Sequence, residues 1–221
     1  ESARLLVLSA DSASTGAEYG DRVKQAGWAG HIDLVTYGAP GWAGTDVTRY
    51  RAVLVVAVSP PGAARAMADP RFGAMVATAV RTAPVVLADG PAAAYAGTRW
   101  SPHPRPDGDD YEDRAVAAFK TGEARWRAGL ALVPVAVVPA INTDYQWGRL
   151  FNAVATARSQ LGLGISAGTA IRFQGGEARV VDGSVVVADG RDATTWSSRN
   201  GTLGAGGIVL DVFGPGERLA R

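Results

Sequence analysis

The chain has no cysteine, and among its 221 residues only two are histidine (His31 and His103) and only two are lysine (Lys24 and Lys120). Without cysteine there is no disulfide framework, no thiolate nucleophile and no sulfur-held zinc or iron site, so stability rests on packing. With two histidines, any Ser-His pair has to use one of them. A surplus of one charge is missing as well. Lys+Arg 22 against Asp+Glu 21 leaves +1, which offers no basic stripe to a phosphate backbone or an anionic membrane. The apolar runs at 52–58 and 129–141 fall short of the roughly 20 residues that a membrane helix needs. Neither nucleic acid nor membrane is expected as a partner. A soluble chain is expected, with cytoplasm and secretion left as open alternatives. The rarity of lysine beside abundant arginine, alanine and 28 glycines fits the coding bias of GC-rich bacterial genomes.

What is present is rhythm. Residues 4–10 are apolar and end at Asp11, Ser12 and Ser14, which predicts a strand running into a helix over 16–28. Strands follow at 31–37, at 52–58, apolar throughout as a strand buried on both faces should be, and at 84–88. Pro70 in a first turn predicts a helix over 70–82. Residues 92–96 open a further helix, and 97–113, with Pro102, Pro104, Pro106 and Gly108, read as a long exposed loop. A helix over 111–120, a strand over 134–138 and a helix over 144–160 come next. The last places Trp147, Leu150, Phe151 and Val154 on one face, with Asp144 as cap.

Beyond Leu161 the pieces shorten to 163–166, 169–173, 178–181 and 184–188, separated by glycine turns, as hairpins are. Residues 189–207 read as loop, and 208–213 as a closing strand. Together these predict a single α/β domain over 1–221: a three-layer α/β/α body (1–161) around a mostly parallel sheet, with a β-hairpin-rich extension (162–221). In such sheets ligands sit at the carboxyl ends of the strands, here the loops after Ala10, Val58, Ala88 and Val138.

Few residues carry chemistry. Gly164-Ile165-Ser166-Ala167-Gly168 matches G-x-S-x-G, but that elbow needs a helix after the serine, and 169–173 read as strand. His31 begins a strand and reads as a surface residue. His103 stands between Pro102 and Pro104 in the long loop, where working residues are often carried. Asp107, Asp109, Asp110, Glu112 and Asp113 are spaced unlike an EF-hand, so no metal site is expected. Gly204-Ala205-Gly206-Gly207 lacks the lysine of a phosphate-binding loop.

Several segments resemble the cyanophycinase-like group, peptidase family S51. They are Gly129-Leu130-Ala131-Leu132-Val133-Pro134, the helix Gly148-Arg149-Leu150-Phe151-Asn152-Ala153-Val154-Ala155, and Leu161-Gly162-Leu163-Gly164-Ile165 with the strands up to Gly190. The resemblance implies a fold similar to class I glutamine amidotransferases. It also implies a serine peptidase, free of any cofactor, that cleaves aspartyl peptides or the β-Asp-Arg units of cyanophycin. This chain departs from that pattern where the chemistry lies. The family's nucleophile turn matches Asp89-Gly90-Pro91-Ala92, with Pro91 in place of the serine. The segment that carries the family's base histidine matches 139–145, which holds Asn142, Thr143 and Asp144 but no histidine.

The expectation is therefore a noncatalytic homologue with no catalytic residue, whose cleft is lined by Ser59, Asp89, Gly90, Pro91 and Asn142. Its partner would be a small molecule, peptide or protein. The alternative is a serine hydrolase with relocated residues: Ser59, Ser101 or Ser166 with His103. Related folds often dimerise, which makes a homodimer an expected assembly.

Overall fold

The computed structural model describes residues 3–101, 116–142, 146–157 and 161–219. They gather into two compact units, residues 3–93 and residues 94–101 with 116–219.

The first unit runs β1 (Arg4–Ser9), α1 (Ala13–Gln25), β2 (His31–Thr36), β3 (Ala52–Val56), α2 (Pro60–Ala68), α3 (Pro70–Thr82) and β4 (Val85–Asp89). Its four strands are all parallel, in the order β2-β1-β3-β4. Leu5, Val7, Leu54 and Val56 pack under Tyr19, Val23 and Trp28. Strand alternation sends the buried Leu6, Leu8, Val53 and Val55 to the opposite face. Helix α1 starts where Ser12 accepts the Thr15 N–H at 3.1 Å, and its last turn carries Arg22 and Lys24, which suit the negative end of the helix dipole. Helix α2 has no counterpart in the sequence reading, which passes over the prolines at 60 and 61. Here they occupy the first turn, behind the cap Ser59, the position where a missing N–H costs nothing.

A 3-10 helix spans Gly90–Ala96, where the sequence reading opens an ordinary helix at 92. The second unit continues with β5 (Arg99–Trp100), β6 (Arg127–Ala128), β7 (Val135–Pro139), α4 (Trp147–Thr156), β8 (Leu161–Ile165), β9 (Ala170–Gln174), β10 (Glu177–Asp182), β11 (Val185–Asp189), β12 (Thr194–Ser197), β13 (Leu203–Gly206) and β14 (Val209–Phe213). Strand β7 pairs with β8 in parallel, and β11 and β14 add antiparallel to them, giving a mixed sheet in the order β14-β11-β8-β7. The β-rich tail therefore shares its sheet with β7.

Helix α4 lays Leu150 and Val154 on Val138, Ile141, Val186 and Ala188. It comes this close because β8 turns two glycines toward it. A Cβ on Gly162 would stand 2.7 Å from Leu150 Cδ1, and one on Gly164 3.1 Å from Leu150 Cδ2 and 2.4 Å from Ile141 Cδ1. The other face joins Val137, Leu163, Val185 and Val187 to Val180 of β10 and Ile171 of β9.

Three further expectations change. Residues 99–100, expected in loop, pair with β6. The stretch 189–207, expected to be loop, contains the β12–β13 hairpin. The cap of α4 is Gln146, without a side-chain bond, while Asp144 lies outside the described residues. The fold is mixed α/β, with a parallel central sheet and additional antiparallel strands.

Candidate functional site

In the first sheet the chain passes from β1 outward to β2 and then returns to β3 on β1's other side. That reversal makes the carboxyl ends of β1 and β3 a topological switch point, the place where open α/β sheets hold ligands. Asp11 lies just beyond β1, and Val58 and Ser59 just beyond β3. One Asp11 oxygen, Oδ2, accepts the Val58 N–H at 2.7 Å and the Ser59 N–H at 3.4 Å; the other, Oδ1, accepts the Ser59 hydroxyl at 2.7 Å. The same hydroxyl accepts the Gly62 N–H at 3.0 Å. A carboxylate is well placed at the start of α2, where unpaired N–H groups and the helix dipole favour negative charge. A Cβ at Gly62 would lie 1.9 Å from Asp11 Oδ1, so this contact requires glycine.

Asp89 ends β4. Its Oδ2 accepts the Tyr19 hydroxyl at 2.5 Å and its Oδ1 the Gly90 N–H at 2.7 Å. Burial, then the bond to the Asp89 carboxylate, push the Tyr19 phenol up to about 12. Gly90 has φ +61°, and a Cβ there would stand 2.3 Å from the Ala57 carbonyl oxygen. The chain thus leaves β4 in a left-handed turn pressed against the exit of β3, a conformation open to glycine. Pro91 follows inside the 3-10 helix and brings neither a nucleophile nor an N–H.

The remaining described candidates make local bonds of their own. Asn142, in the second unit just beyond β7, donates its Nδ2 to Ser166 Oγ at 2.8 Å, and that oxygen lies 3.1 Å from Ser184 Oγ. Ser166 is 8% exposed and stands in the turn between β8 and β9, so the helix that an elbow needs is replaced by a strand. Thr169 Oγ1 donates to the Ser184 carbonyl and accepts its N–H, closing this turn with local bonds. The Ser101 hydroxyl donates to the Ala124 carbonyl. His31 Nε2 meets Asp33 Oδ1 at 3.1 Å and is mostly exposed. His103 and the acids from Asp107 to Asp113 lie outside the described residues.

His31, the histidine among the described residues, bonds to Asp33 and to no hydroxyl, and among the described residues no three His, Cys, Asp or Glu side chains gather as metal ligands. No described helix is long and apolar enough to cross a membrane. The structure brings Ser59 to Asp11 and Asp89 to Gly90, and it joins Asn142 to Ser166. Sequence reasoning missed Asp11 and Tyr19 as partners. Ser59 ahead of Pro-Pro-Gly is a legible cap signal, whereas nothing local ties Tyr19 to an aspartate 70 residues away.

Among solved structures the chain is similar to the crystal structure of a peptidase from an acI-B1 Actinobacterium, with a TM-score of 0.63 over 99% of this chain and 83% of that one, at 12% sequence identity. No family model matches the sequence, and no curated protein does. At that identity the likeness is one of fold.

Proposed function

We propose that this chain is a noncatalytic homologue of the cyanophycinase-like serine peptidases that its sequence resembles, and that it holds a ligand or partner at the carboxyl ends of β1, β3 and β4. The observation that carries the reading is the commitment of Ser59. Its single proton is given to Asp11 and its oxygen caps α2. A serine nucleophile needs a base of suitable strength and an oxygen free to attack. Pro91, at the position matching the family's nucleophile, supports the same reading, and so does Ser166 in its hydroxyl network. A fold alone does not carry an activity.

The test is a fluorophosphonate probe with mass-spectrometric site mapping, run beside hydrolysis of β-Asp-Arg and α-aspartyl dipeptides. The expected result is no specific label and no turnover on folded protein. Labelling at Ser59, Ser101 or Ser166, with turnover abolished in the matching alanine variant, overturns the proposal in favour of a hydrolase with relocated residues.

A further inference from the structure

We infer that Asn200 is a self-modification site, converting to aspartate and isoaspartate through a cyclic imide with Gly201. The chain has three asparagines, Asn142, Asn152 and Asn200, and only Asn200 precedes glycine. Asn152 is buried in α4, where it bonds to Trp126 Nε1 and to the carbonyls of Ala118 and Lys120. Asn200 is exposed at the tip of the β12–β13 hairpin.

The tip is arranged for this chemistry. Asn200 Oδ1 accepts the Thr202 N–H at 3.2 Å, the Thr202 hydroxyl at 2.9 Å and the Ser198 hydroxyl. These donors draw electron density from the carboxamide and face the oxygen on which negative charge develops when its carbon is attacked. The attacking atom is the Gly201 nitrogen, whose residue has no Cβ to obstruct ring closure. Thr121 holds the Gly201 carbonyl through its N–H at 2.8 Å and its hydroxyl at 2.9 Å, bonds that leave the carboxamide itself untouched. The Gly201 N–H donates to the Ser198 carbonyl. Its proton must pass to a base in solution before attack, so the rate rises with pH.

In the step itself the Gly201 nitrogen bonds to Asn200 Cγ, the Cγ–Nδ2 bond breaks and ammonia leaves. Water then opens the imide at either carbonyl and restores the Gly201 N–H. The net change is uptake of one water and loss of one ammonia, with a new carboxylate at residue 200. That carboxylate cancels the chain's formal charge of +1, and a protein near neutrality associates more readily.

The experiment incubates the full chain at neutral and mildly alkaline pH and follows mass after cleavage at glutamates. Peptide 178–217 carries Asn200 alone, and peptide 124–177 carries the other two asparagines. The first is expected to gain 1 Da progressively and faster than the second, with an acidic shift in isoelectric focusing. Thr202→Val, which keeps the branched shape and removes one donor, is expected to slow the gain roughly fivefold, the factor one neutral hydrogen bond carries. Equal rates in the two peptides, or a Thr202→Val rate equal to the parent's, would overturn the inference.

Discussion

Removing Asp11 and Ser59 singly and together measures how tightly the hydroxyl at the switch point is bound. Ser59→Ala loses the cap of α2, worth about 1 kcal/mol, and a 2.7 Å bond to a carboxylate. Hydrogen bonds to charged groups are worth roughly 1.5–3 kcal/mol when well buried, but Asp11 is only half-buried. Taking the lower end gives a total of about 2 kcal/mol after discounting for solvent. Asp11→Ala strips the acceptor from both the Val58 N–H and the Ser59 hydroxyl, a loss of about 2.5 kcal/mol on the same scale. Both changes delete the Asp11–Ser59 bond, so the double variant should lose only about 3.5 kcal/mol and leave a coupling of about 1 kcal/mol.

Urea unfolding followed by tryptophan fluorescence supplies the four free energies, provided the slope with denaturant stays constant across the set. For a chain of this size Ser59→Ala should lower the melting temperature by roughly 4–8 °C. Additivity within about 0.5 kcal/mol would refute the reasoning, because it would mean that the hydroxyl is not committed to Asp11 and is free for other chemistry.

Two further outcomes follow from the same site. Gly62→Ala improves intrinsic helix propensity by about 1 kcal/mol, yet its Cβ would fall 1.9 Å from Asp11 Oδ1; the variant should be net less stable by about 1–2 kcal/mol in the same urea assay, and a gain in stability would show that the carboxylate moves aside freely. Tyr19 has its pKa raised from 10.0 to about 12 in the folded chain, so its contribution to stability is whole below pH 10 and is lost as pH rises toward 12. Phenolate absorbance should accordingly lose a step centred near pH 12 in Tyr19→Phe, and a difference titration centred near pH 10 would contradict the Asp89 bond.

The parallel strands were legible because each is a short apolar run with turn residues after it, and β3, buried on both faces, is apolar throughout. Helix α2 was hidden by its own first turn, since adjacent prolines suggest a break unless the serine before them is seen as a cap. The β12–β13 hairpin was hidden by its composition: Trp196 lies across Gly204, so one strand of the pair consists mostly of glycine and alanine and shows no alternation. At the site, Ser59, Asp89 and Gly90 could be placed by counting from strand ends. Their bonds could not, because Asp11 reaches across 48 residues and register between distant strands is set by tertiary packing.

Asp11 has one more consequence for whatever approaches this edge of the sheet. The amide groups of Val58 and Ser59, with the start of α2 behind them, are the kind of donor set that captures phosphates and carboxylates. Here they are filled by a carboxylate of the chain itself. A tethered group acts at an effective concentration of millimolar order or more, so a free anion must outcompete a resident that never diffuses away. The edge thereby carries its own anion at the start of α2.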